Sequence, residues 1–178
     1  MQSHSYSVME ELGSDRSRQK YGGHQSTRIE AVEKALEQLR RGGIILVRDD
    51  EGRENEGDLI CAAELATSES VNFMVTHGRG MVCQPIAEEI ALRLDLPPQV
   101  ARNSESHGTS FTVTVDAAEG VTTGISASDR AHTARLVADS HTTPGRLRRP
   151  GHMFPIVARP GGVFQRQGHT EASDRKSV

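Results

Sequence analysis

From Ile29 onward the apolar residues Ile29, Val32, Leu36 and Leu39 recur at helical intervals until Gly42-Gly43, and Thr27 with Glu30 has the spacing of a capping box. This predicts a first helix. Ile44 to Val47 is a short continuous apolar run that suits a buried strand, and Leu59 to Ala63 reads as a second. Ser68 is placed to cap a helix through about Thr76, with His77-Gly78 at its stop. Met81 to Ile86 then returns as a strand. Ala87 to Leu94 forms a short amphipathic helix before Leu96-Pro97-Pro98. Phe111, Val113 and Val115 alternate with Thr112 and Thr114 as in a half-buried strand. Ser126 and Asp129 repeat the capping spacing ahead of a helix through about Ala138. The stretch from Arg148 to Ala172 is too dense in Pro and Gly for long regular elements.

Helices and strands interleave without strict βαβ regularity, so the expected fold class is α+β: a mixed sheet covered by helices in a single domain. A chain of 178 residues supports one core. Residues 1–25 show no sustained apolar period and read as a flexible tail, 26–172 as the domain, and 173–178 as a divergent tail. No internal repeat is visible.

Composition narrows the partners. Net charge is −3 with scattered basic residues, which excludes the electrostatic footprint of a duplex nucleic-acid binder. Aromatics are 3% of the chain with no Trp, so stacking platforms for single strands are poorly supplied. No apolar run approaches the ~20 residues of a membrane span, and no hydrophobic signal core opens the chain, so a cytoplasmic protein is expected. Cys61 and Cys83 lie in apolar surroundings and read as reduced, buried thiols.

The chemistry concentrates in three segments. RDDEGRENEGDLI, Arg48 to Ile60, carries Asp49, Asp50, Glu51, Glu54, Glu56 and Asp58 with two arginines, and carboxylates so crowded invite a divalent cation, acid-base work, or both. In extended backbone Glu54, Glu56 and Asp58 would share one face, with Arg53 and Asn55 on the other. An EF-hand fails on ligand spacing. A solvated charge run is the plain alternative. A Gly-Thr loop follows the Phe111–Val115 strand. In the C-terminal stretch, Arg166, Thr170 and the amides around Gly161-Gly162 and Gly168 are groups suited to a phosphate. His169-Thr170-Glu171 also has the form of half a two-histidine, one-carboxylate iron site.

RDDEGRENEGDLI, HGRGMVCQPI, HGTSFTVTVDAAEGVTTGISASDR and RRPGHMFPIVARPGGVFQRQGHTEA together resemble the 3,4-dihydroxy-2-butanone 4-phosphate synthases of riboflavin biosynthesis, from about Ile29 to Ala172 and in family order. The resemblance implies a lyase that takes D-ribulose 5-phosphate to 3,4-dihydroxy-2-butanone 4-phosphate and formate. It implies Mg2+ (or Mn2+), and a homodimer with sites at the subunit interface. By position in the motifs, Glu54 and His169 are implied as metal ligands, and Arg53, Glu54, Asp58, Thr122 and Thr123 as substrate contacts. Arg166, Gln167, Gly168, His169 and Thr170 are the other implied substrate contacts, and His152, Glu56 and Asp58 the catalytic groups. After HTEA the family continues into a helix and strand with another substrate-contacting glutamate, where this chain reads SDRKSV, so a C-terminally shortened member is implied. With no second domain after Val178, a fusion to GTP cyclohydrolase II is not expected. A truncated, non-catalytic paralogue that pairs with a complete synthase is the alternative.

Overall fold

The computed structural model describes residues 24–174, with side chains described from Ile29 onward. The expected tails lie almost wholly outside these residues, although His24 and Gln25 are already helical and Ser173 closes the last helix. α1 (His24–Arg40) therefore starts a turn before Thr27, and the capping spacing does not mark its beginning. Ile29 and Val32 are exposed and only Leu36 and Leu39 are half-buried, so α1 meets the domain through its last turns.

β1 (Ile45–Arg48) and β2 (Gly57–Ile60) form an antiparallel hairpin, with Ile45 opposite Ile60 and Arg48 opposite Gly57. β1 was expected to be buried, yet Leu46 is 65% exposed. Among the described residues the hairpin stands apart from the larger sheet, so one of its faces stays open. The second strand stops at Ile60, and Ala63–Leu65 is a 3-10 turn, since alanine has little preference for a pleated strand.

α2 (Ser68–His77) is capped one residue earlier than expected: the Thr67 hydroxyl accepts from the Ser70 amide while the Ser70 hydroxyl reciprocates. β3 (Cys83–Ile86), α3 (Glu88–Arg93), β4 (Val115–Ala117) and α4 (Ala127–Ala138) follow, and α4 starts at the Ser126 cap as expected. Phe111 and Thr112, expected inside a strand, make only isolated bridges. Regular pairing with a partner strand begins at Val115.

That partner is β5 (Leu147–Val157), the longest strand and the one the sequence pattern missed. It lies between β3 and β4, parallel to the first and antiparallel to the second, which makes the three-stranded sheet mixed as expected. A bulge absorbs Pro150 and Gly151. Val115 pairs with Met153 while the adjacent Asp116 pairs with Arg148, so residues 149–152 swell out of the ladder and Pro150 need not donate to it. Gly151 packs against the β4 backbone so tightly that a Cβ would lie 2.0 Å from the Val115 carbonyl carbon.

α4 closes the sheet. Ala131, Ala134 and Val137 pack with Val71 of α2 and with Ile86, Val115, Ala117 and Met153 of the strands to form the core. Two polar ties are sealed inside: Thr133 accepts the Ala117 amide at 3.0 Å, and the Gln84 amide donates to the Ala134 carbonyl at 3.0 Å. Both thiols are half-buried and unpaired with each other. Burial, aided by the Asp58 carboxylate, pushes Cys83 up to about 11, so it stays protonated at neutral pH. The final helix, α5 (His169–Ser173), follows a 3-10 turn at Gly162–Phe164.

Candidate functional site

The hairpin connection is not the extended ribbon that would set three carboxylates on one face. It is wound by Asp49, whose Oδ2 accepts from the Arg53 guanidinium at 2.8 Å and the Glu54 amide at 3.1 Å, and whose Oδ1 accepts from the Glu56 amide at 2.9 Å. Asn55, at φ 54°, completes the turn. Burial opposes ionisation of this carboxyl, but the Glu56 amide, Arg53 and the Glu54 amide outweigh it and hold Asp49 at about 2. The sequence named Asp49 only as one acid in a cluster. Its position at the strand end, ahead of amides that must turn, is the signal for this role.

The winding brings Arg53 and Glu54 to the same side. The Arg53 guanidinium lies 2.9 Å from Glu54 Oε1, and both side chains are half-buried. Glu56 points to solvent, and Asp58, at the start of β2, is half-exposed. Across the fold, α5 delivers His169, whose side chain is 10% exposed. Its Nδ1 lies 4.0 Å from Glu54 Oε2 and 3.6 Å from Asp58 Oδ2, both beyond hydrogen-bond reach. Its Nε2 is buried with no partner among the described residues. On the other side of the ring, Nδ1 and the Glu54 and Asp58 oxygens face one another with no hydrogen bond between them, a donor set of nitrogen and carboxylate oxygens that a divalent cation would bridge. Donors of one Mg2+ stand at most ~4.2 Å apart, twice a metal–oxygen bond. Glu54 and His169 meet that limit. Asp49, Glu54 and His169 all offer ligand atoms within 4.8 Å of one another, but the oxygens of Asp49 already hold the loop.

The segment that carries His169 is fastened from within. Glu171 accepts the Arg159 amide at 3.0 Å and lies 2.7 Å from the Arg166 guanidinium. Its carboxylate therefore faces away from His169's neighbours and completes no iron triad with it. Arg166, expected to be free for phosphate, is instead largely engaged: Nε donates to the His107 carbonyl and Nη2 to the Thr109 hydroxyl. An arginine has five N–H groups, so donors remain. Thr170 is buried, Gln167 is exposed, and Gly168 packs where a Cβ would lie 2.5 Å from Arg166. His107, unassigned from sequence, lies with Nδ1 3.8 Å from Glu54 Oε1.

A second group forms at the β5 bulge. The His152 amide donates to Asp116 Oδ1 at 2.9 Å and its Nδ1 lies 2.7 Å from Oδ2, so one carboxylate fixes both backbone and ring. Asp116, which sequence reasoning left unassigned, is thus the partner of His152. Its signal was a charged residue continuing an apolar strand into the core. Gly124, at φ 93°, packs against it where a Cβ would fall 2.1 Å from Oδ2, which brings in the Gly-Thr loop. Thr122 donates to Asp129 at 2.7 Å, and Thr123 is exposed beside it. That hydroxyl, with the Thr122 and Gly124 amides, lowers the Asp129 carboxyl against the cost of burial. Among the described residues no side-chain hydrogen bond or ion pair joins this group to the Glu54–His169 group.

A family model described as 3,4-dihydroxy-2-butanone 4-phosphate synthase matches residues 33–175. The chain is 54% identical over 142 residues to the riboflavin biosynthesis protein RibBA of Bacillus subtilis, which covers 80% of this chain and 35% of that protein. It is 54% identical over 147 residues to the 3,4-dihydroxy-2-butanone 4-phosphate synthase of Edwardsiella ictaluri, covering 83% of this chain and 67% of the relative. Among solved structures, it matches a 3,4-dihydroxy-2-butanone 4-phosphate synthase in complex with two magnesium ions at a TM-score of 0.78 and 46% identity, over 80% of this chain and 66% of that one. The Candida albicans synthase structure matches at a TM-score of 0.73 and 50% identity, over 80% and 69%. The chain thus spans from about a third to about two thirds of the length of these relatives.

Proposed function

The chain belongs to the 3,4-dihydroxy-2-butanone 4-phosphate synthase family, and from that premise we propose that it is a lyase of riboflavin biosynthesis. Its substrate is D-ribulose 5-phosphate and its products are 3,4-dihydroxy-2-butanone 4-phosphate and formate. The observation that carries this reading is the approach of Glu54 and His169, far apart in sequence, to 4.0 Å beside Asp58. These residues would hold Mg2+ or Mn2+, as the magnesium in the related structure suggests. A bound divalent ion supplies positive charge beside the substrate oxygens on which negative charge develops.

The chain's own residues account for the rest. Enolisation, loss of water, the skeletal shift and release of formate all move protons, and the water lost is taken up again when formate departs, so no oxidant is needed. Asp116 beside Nδ1 of His152 holds the ring so that Nε2 is the end that exchanges a proton with substrate. Glu56 and Asp58, both open to solvent, are the carboxylates for the remaining transfers. Arg53 and the remaining donors of Arg166 bind the sugar phosphate with Thr170 and the Gly168 backbone. Thr122 and Thr123 sit on a glycine-rich loop suited to closing over the sugar and excluding water.

Membership of the family is the ground for a homodimer with its sites at the subunit interface. No described helix is long and apolar enough to cross a membrane, in keeping with an enzyme of the cytoplasm. Purified protein with Mg2+ and D-ribulose 5-phosphate should release formate, and EDTA should stop it. If folded protein releases no more than a Glu54→Ala variant, the lyase reading fails and the non-catalytic partner reading takes its place.

A further inference from the structure

Asn103–Thr109 contains no helix or strand and is largely exposed, yet its hydrogen bonds give it one shape. The Glu105 carboxylate accepts from the His107 amide at 2.9 Å, the Thr109 amide at 2.7 Å and the Ser106 hydroxyl at 3.0 Å. Asn103 closes the ring: its Oδ1 accepts from the Glu105 amide at 2.9 Å, and its Nδ2 donates to the Thr109 carbonyl at 2.8 Å. The two amides, foremost that of His107, hold the Glu105 carboxyl at about 2, so this acceptor is fully ionised at neutral pH.

The outer surface of the loop meets both halves of the metal-side group. Arg166 spends two of its three nitrogens on it, Nε on the His107 carbonyl at 3.4 Å and Nη2 on the Thr109 hydroxyl at 3.2 Å. Arg159 reaches the Gly108 carbonyl at 3.4 Å. His107 faces Glu54 of the acidic loop at 3.8 Å. The direction of Arg166 is therefore set jointly by Glu171 and by a loop wound chiefly about the Glu105 carboxylate, with Asn103 closing it.

We propose that Glu105 is a positioning residue of the site: it shapes the loop that aims Arg166 and places His107 over Glu54, and so governs binding of the phosphorylated substrate. This rests on the lyase reading above for the identity of the substrate. Removing the carboxylate frees three donors and loosens the loop without touching any group that meets substrate. Glu105→Ala should raise KM for D-ribulose 5-phosphate roughly 10- to 100-fold, the effect of a small misplacement of a binding group, with kcat far less affected. Amide hydrogen exchange across residues 159–171 should accelerate. Glu105→Gln, which keeps one acceptor oxygen, should fall between, and it carries the same comparison if the alanine variant does not fold. Unchanged KM in an active variant, or unchanged exchange across 159–171, overturns the proposal. If the wild-type protein releases no formate, the lyase reading has failed and the exchange comparison alone decides the role of Glu105.

Discussion

Deleting the Glu171 carboxylate should destabilise the protein measurably, and the structure sets the scale. The group is 1% exposed and accepts from the Arg159 amide and the Arg166 guanidinium. Glu171→Ala strands both donors. Breaking a buried pair from one side costs about 3–5 kcal/mol. Arg166 keeps its bonds to His107 and Thr109 and its side chain is 17% exposed, so the lower end, about 3 kcal/mol, applies. At roughly 2–4 °C per kcal/mol for a domain of this size, Tm should fall by about 6–12 °C. Thermal unfolding followed by far-UV circular dichroism reads this directly. The double variant Arg166→Met with Glu171→Met should recover part of the loss, because no charge is then left unpaired. A fall below ~2 °C for Glu171→Ala, or a double variant less stable than the single, would refute the account of this pair.

Three further outcomes follow from the geometry. Asp116→Asn puts an amide donor against Nδ1 of His152 and moves the ring proton to the other nitrogen, so kcat should drop roughly 10- to 100-fold with an altered pH–rate profile; an unchanged kcat would show that the contact is idle. Gly151→Ala drives a Cβ into the β4 backbone and should cost about 3 kcal/mol, read as a lower urea midpoint, and an unchanged midpoint would contradict the bulge. Asp49, lowered from 3.8 to about 2, contributes stability that is complete above its ordinary value and is lost as pH falls through about 2. The urea midpoint should therefore decline below pH 3.8, less steeply in Asp49→Asn, and equal slopes would remove Asp49 from the explanation.

Elements whose signal is local were legible before the fold was known. The helices α2, α3 and α4 arose close to where the apolar period placed them, and the Ser126 cap of α4 was legible because its hydroxyl meets the Asp129 amide within one turn, whereas the cap of α2 fell on Thr67 and not on Ser68. The motifs were equally legible: Glu54, His169 and His152 stand in segments whose residue types suit metal and proton chemistry wherever the chain takes them. β5 was not legible, since two prolines and a glycine in a strand look like breaks until β4 offers a ladder with a bulge to hold Pro150 and Gly151. The hairpin loop was misread for the same reason: alternation of Glu54, Glu56 and Asp58 assumes extended backbone, and Asp49 winds it instead.

By itself, then, the sequence determined most of the local elements and the motifs that mark the family, because those depend on residue type and on neighbours a turn away. Only the tertiary structure decided which of them meet. Asp116 against His152, His169 beside Glu54 and the Glu105 loop over Glu54 are pairings between distant segments, and packing sets them where no periodicity can. A carboxylate reads alike in sequence whether it binds a cation, orients an imidazole or winds a loop, and its burial and the donors around it tell these roles apart.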